Sequence, residues 1–172
     1  ITGRAYLFIA RTNESEPRRQ SGASRTSEPF FGVDDQPLAP GQAVTFDKSI
    51  LGFPVASLDR LPAGEYYVQG LLVPYTQFKR SDGHTIWAHM DAGEGQRFNN
   101  APGSLVSEVM KVRIDPARPM NGWISLTKVL PPVTRPADTE WVQRFRLRSR
   151  LAGTFWGHDM ELGAVVLLPK GY

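Results

Sequence analysis

Leu61-Pro62-Ala63-Gly64-Glu65-Tyr66-Tyr67-Val68-Gln69-Gly70-Leu71-Leu72 carries the clearest strand signature in the chain. A Pro-x-Gly turn feeds a run of aromatic and branched residues, and the period of two sets Tyr66, Val68, Gly70 and Leu72 on one face. This turn-then-strand pattern recurs in immunoglobulin-like sandwiches. Pro74 ends the strand or marks a sheet edge. The expected class is all-β: an immunoglobulin-like β-sandwich with a C-terminal β-hairpin.

The flanking sequence fits that class. Gly3 to Ala10 is a strand candidate, rich in aromatic and branched residues and without a helix cap. Thr12 to Gln42 holds six charged residues between Glu14 and Glu28 and then several Pro and Gly, which predicts a long surface excursion with one short strand near Phe30-Phe31. Ala43 to Phe46 predicts another short strand. Thr85 to Met90, Val109 to Ile114 and Trp123 to Leu130 read as strands, with a glycine-rich loop from Asp91 to Gly103. Helical turns are expected only near Ser57 to Leu61 and around Ala137 to Trp141. Pro131 to Asp138 carries three prolines and is the best boundary, so residues 1–136 are read as a sandwich accessory domain and 137–172 as a linker and hairpin.

Composition narrows the class. The 172 residues are 41% hydrophobic with nine Phe, five Tyr and four Trp, which is globular rather than disordered. Fourteen Pro and sixteen Gly favour short strands and turns over long helices. The net charge is only +3, a weak argument for nucleic acid, and no nucleic-acid partner is expected. There is no cysteine, which excludes disulfides and thiolate metal sites. No apolar run approaches the roughly twenty residues that span a bilayer, and no membrane partner is expected.

From Trp141 to Tyr172 the chain reads as one long hairpin. Trp141, Phe145, Leu147 and Leu151 alternate with Val142, Arg144, Arg146, Arg148 and Arg150, which predicts one face in a core and one in water. After a turn from Gly153 to Asp159 the chain returns as Leu162 to Leu168, apolar on both faces. A strand of that kind needs a layer on each side, so the segment is expected to belong to something larger.

Candidate chemistry is sparse. A hydrolase nucleophile on an α/β sheet sits in Gly-x-Ser-x-Gly, and no such pentapeptide occurs. The segment from Asp82 to Gln96 concentrates titratable and aromatic groups, and His84, Trp87, His89, Asp91 and Glu94 are the candidate binding residues. On a strand, Trp87, His89 and Asp91 share one face and His84 takes the other, which spoils a two-histidine metal site. No metal, cofactor or catalytic residue is expected. Trp87, Trp123, Trp141, Trp156, Tyr75 and Phe98 could form a sugar-stacking platform, the alternative reading being a carbohydrate-binding module, although Trp123 and Trp141 sit where burial is expected. Arg144, Arg146 and Arg148, with Val165 and Leu167, form the candidate interdomain or self-association surface. The arginines are expected to be solvated or salt-bridged, with their stems covering apolar surface.

The run Ala63 to Gln69, then Asp82-Gly83-His84, Gly93-Glu94-Gly95-Gln96 and Pro102-Gly103-Ser104, resembles the N-terminal region of large bacterial secreted esterases. Pro131-Pro132, Asp138-Thr139, Arg148-Ser149, Phe155-Trp156-Gly157 and Leu162 to Pro169 extend the resemblance over nearly the whole chain. It implies a β-sandwich region preceding an α/β-hydrolase domain of the esterase D type, with the catalytic groups outside this chain. It also implies an extracytoplasmic or secreted location and a partner in the hydrolase domain of the same polypeptide. Self-association is the other expected partnership.

Overall fold

The computed structural model describes residues 1–35, 37–89, 97–118 and 122–171. In chain order they form β1 (Gly3–Ala10), α1 (Pro17–Gln20), β2 (Phe30–Asp35), β3 (Gly52–Phe53), β4 (Gly64–Pro74), β5 (Thr76–Lys79), β6 (Thr85–Ala88), β7 (Leu105–Ser107), β8 (Met110–Ile114), β9 (Leu126–Val129), β10 (Val142–Arg148), α2 (Arg150–Trp156) and β11 (Glu161–Leu167). Single 3₁₀ turns lie at Leu58–Arg60 and Phe98–Asn100. The fold is all-β and sandwich-like, and every strand pair among the described residues is antiparallel. Two compact units result: Ile1–Tyr75 with Gln96–Pro132, and Thr76–Gly95 with Val133–Tyr172.

The first unit is built around β4. Its sheet runs β3-β2-β1-β4-β7-β9, with β8 also beside β4. β1 pairs with β4 from Gly3 opposite Pro74 to Ala10 opposite Tyr67. The other edge of β4 is shared, Gly64 to Val68 with β8 and Leu71-Leu72 with β7. Val68 faces Met110 while Leu71 faces Val106, so three steps on β4 match four on its partner. This is a bulge, and its freed groups are satisfied locally. The Gly70 amide donates to Ser107 Oγ (2.9 Å), the Ser107 hydroxyl donates to the Glu108 carbonyl (2.7 Å), and Gln69 Nε2 donates to the Ser107 carbonyl (3.2 Å).

Because β4 is paired on both edges, alternate residues feed two cores. One contains Phe8, Leu71, Val73, Ala101, Val106 and Leu130, with Tyr6, Phe30, Tyr75 and Phe98 against it. The other contains Ile9, Phe31, Leu61, Tyr66, Val68 and Ile114. Phe8 and Phe31 are fully buried, and each contributes roughly 3 kcal/mol of apolar burial. The Pro-x-Gly turn before β4 is pinned by its own strand, since Tyr66 Oη donates to the Pro62 carbonyl (2.8 Å). Burial pushes the Tyr6 phenol up to about 12 against the pull of Arg4, whose guanidinium sits 5.6 Å from the ring centroid.

The excursion from Thr12 to Gln42 differs from expectation. It contains α1, opened by Pro17 at the helix start, and it buries Pro17 and Arg18. Arg18 is tolerated inside because its donors are matched: Nε and Nη2 to Glu16 (2.8 and 3.0 Å), and Nη1 to the Asn99 carbonyl (2.8 Å) and Asn100 Oδ1 (2.9 Å). Gln69 Nε2 also donates to Glu16 (2.8 Å). Burial would raise the Glu16 carboxyl, but the hydrogen bonds from Arg18 and Gln69 outweigh it and hold the group below its ordinary value. Ala43 to Phe46 forms no strand, and Ala137 to Trp141 forms no helical turn. Trp123 precedes β9 and is largely exposed rather than buried.

The second unit joins two hairpins distant in sequence. β5 pairs with β6 from Thr76 opposite Ala88 to Lys79 opposite Thr85, and β10 with β11 from Val142 opposite Leu167 to Arg148 opposite Glu161. Between β10 and β11 the chain forms α2 instead of continuing the strand to Leu151. Ser149 Oγ accepts from the Ala152 amide (3.2 Å) at the start, and Gly157 takes the left-handed conformation at the end (φ 72°).

Candidate functional site

Of the candidate binding residues, His84, Trp87 and His89 lie on and beside the β5–β6 hairpin. His84 is exposed in the turn, with Nδ1 3.2 Å from Asp82 Oδ1. Trp87 lies opposite Gln77 and is half exposed, and His89 follows the end of β6. Asp91 and Glu94 lie outside the described residues. No group of three His, Asp or Glu side chains among the described residues is placed to hold a metal ion.

The six aromatics of the expected platform divide between the two units. Tyr75 and Phe98 pack on the first core, and Trp156 packs edge-on against Phe78, with ring centroids 5.9 Å apart. Trp87 and Trp123 are exposed but belong to different units. Ser104, in the Pro102-Gly103-Ser104 phrase, is fully buried. No described helix is long and apolar enough to cross a membrane.

What the β5–β6 hairpin does is hold α2. Phe78 is buried between Trp156 and His158, whose ring centroid is 5.1 Å from its own. Arg80 lies 5.2 Å from the Phe155 ring centroid and pairs with Asp82, and the Ser81 amide donates to the Phe155 carbonyl (2.7 Å). That amide satisfies a carbonyl the last helical turn leaves open, and the Arg80 cation complements the negative end of the helix. Sequence reading missed this clamp. Ser149 followed by a short run ending at Gly157 was the available signal, being a cap at each end of a two-turn helix.

The residues of the expected arginine surface share one face of the C-terminal hairpin. On one face of β10–β11, Arg144 stands opposite Val165, Arg146 opposite Gly163, Arg148 opposite Glu161, and Val142 opposite Leu167. Each of the three arginines has a carboxylate: Arg144 reaches Asp138 (3.3 Å), Arg146 reaches Glu161 (2.9 Å) and Arg148 pairs with Asp159. Val165 and Leu167 are 63% and 75% exposed between them. The opposite face carries Trp141, Gln143, Phe145 and Leu147 beside Leu162, Ala164 and Val166. The expectation that this face lies in a core is corrected, since Phe145 is 51% and Leu147 65% exposed. β11 is likewise exposed along its whole length, because the hairpin is a two-stranded sheet with neither face covered.

No family model matches the chain, and neither does any curated protein or solved structure.

Proposed function

We propose that the chain is a non-catalytic accessory domain of a secreted bacterial esterase, packing against an α/β-hydrolase domain of the same polypeptide and helping to shape access to its site. The observation behind this reading is the arginine face of β10–β11. Its charges are already matched by Asp138, Glu161 and Asp159, and Val165 and Leu167 stand exposed among the arginine stems. A surface that is part apolar and part paired charge suits the moderately polar contacts domains make within one polypeptide. The first test is the protein's own coding sequence: an α/β-hydrolase region with Gly-x-Ser-x-Gly between strand and helix supports the reading, and its absence overturns it. The second is p-nitrophenyl ester hydrolysis by this chain alone. Turnover at the buffer rate is expected, and activity that survives repurification would defeat the non-catalytic assignment.

A further inference from the structure

We infer that the other face of the β10–β11 hairpin, bearing Trp141, Phe145, Leu147, Leu162, Ala164 and Val166, is the interface between two copies of this chain. This goes beyond the domain reading, which uses the arginine face. Three observations point to a second copy as the occupant.

The first is area. Trp141, Phe145, Leu147 and Leu162 are 43%, 51%, 65% and 58% exposed, and Val166 is 39% exposed. With fully exposed side chains of about 150–250 Å² for the aromatics and somewhat less for the aliphatics, these residues present about 500 Å² of apolar surface, with Gln143 the one polar side chain among them. Two copies together would remove about 1,000 Å² from water, the lower bound of a specific interface. The second is charge. No Asp, Glu, Lys or Arg projects from this face, because all the arginines of β10 take the other parity. Two copies can therefore meet without burying an unpaired charge, as an apolar interface between identical subunits requires. The third is geometry. Ala164 stands opposite Phe145 at the middle of the hairpin, so about a twofold axis lying between two stacked copies the small residue of each leaves room for the ring of the other.

The test is the oligomeric state of the whole chain by analytical ultracentrifugation from about 1 to 200 μM. A concentration-dependent dimer is expected. Phe145→Lys should weaken it at least 30-fold, whereas Val165→Lys, on the arginine face, should leave it unchanged. The chain has no cysteine, so Ala164→Cys gives a clean single-thiol probe that a bismaleimide linker of about 10 Å, the spacing of packed sheets, should join into a covalent dimer. A chain monomeric at 200 μM overturns the inference, as does a dimer that resists Phe145→Lys or dissolves only with Val165→Lys. If both lysine variants are monomeric, the thiol decides: cross-linking near the midline supports the interface and its absence overturns it. None of these outcomes depends on whether a hydrolase domain exists.

Discussion

Removing Glu16 should destabilise the first unit more than removing Arg18, although the two are partners in one ion pair. The guanidinium of Arg18 is 3% exposed and the carboxylate of Glu16 is 36% exposed. In Glu16→Ala the cation stays where it is, cut off from water and left with only the Asn99 carbonyl and Asn100 Oδ1 as acceptors. An uncompensated buried charge of this kind costs about 3–5 kcal/mol. In Arg18→Met the apolar stem is replaced in kind, Glu16 turns its carboxylate to solvent while keeping Gln69, and two acceptors lose a donor. That loss is about 2 kcal/mol. The double variant should fall well short of the sum, with a coupling energy of about 2 kcal/mol, because neither charge is then stranded. Urea unfolding of the whole chain, followed by far-UV circular dichroism, measures all three from the shift in midpoint at constant slope. Arg18→Met costing as much as Glu16→Ala, or additive losses, would refute the argument that burial asymmetry governs the pair.

Gly157→Ala should cost about 2–3 kcal/mol in the second unit. The position needs a left-handed backbone, and an added Cβ would lie 2.5 Å from the Lys79 carbonyl oxygen, a backbone atom that cannot swing aside. Gly163→Ala, whose Cβ would meet nothing within 4 Å, is the control and should stay within about 0.5 kcal/mol. Tryptophan fluorescence reports on this unit, which holds Trp87, Trp141 and Trp156, and equal effects at the two glycines would sink the clamp described for α2. Alkali should destabilise the first unit through Tyr6. Its folded value, near 12, stands above the ordinary 10.0, so the folded state holds the proton longer, and the contribution is complete below pH 10 and lost as pH rises through 12. Titration at 295 nm should find one phenol ionising near pH 12 that disappears in Tyr6→Phe, and stability unchanged between pH 9 and 12 would contradict it.

The strands of the first unit were readable because their chemistry is local. Gly3 to Ala10 and Gly64 to Pro74 carry aromatic and branched residues at strand spacing, and the Pro-x-Gly corner holds Tyr66 within four residues of its acceptor. Arg18 was unreadable for the opposite reason. In sequence it is one of several charges in a loop, and what permits its burial, besides Glu16 two residues away, are acceptors 81 and 82 residues away. α2 was masked by periodicity: Leu147, Arg148, Ser149, Arg150 and Leu151 continue the alternation of β10, so the strand signal overran the Ser149 cap. The grouping of the β5–β6 hairpin with residues near Trp156 likewise rests on Phe78 and Arg80 meeting side chains some 75 residues downstream, a pairing that no local pattern encodes.

In the C-terminal hairpin the sequence pattern and the structure agree on alternation and differ on its consequence. Period-two spacing states that Trp141, Phe145 and Leu147 share a face, which the register with Leu162, Ala164 and Val166 bears out. It does not state that the face is covered. The arginine face is electrostatically closed within the hairpin and its flanks, each guanidinium matched by Asp138, Glu161 or Asp159. Salt can therefore loosen that face without exposing a net charge, and a partner there gains chiefly from Val165, Leu167 and the aliphatic stems. The tryptophan face carries no charge, and its one polar side chain, Gln143, donates to the Thr139 carbonyl (2.7 Å), so its association should strengthen in sulfate and be nearly indifferent to sodium chloride between 0.05 and 0.5 M, about one order of magnitude in screening ions. An interface that weakens steeply over that range would have to run through the arginines, and the two faces would have exchanged roles.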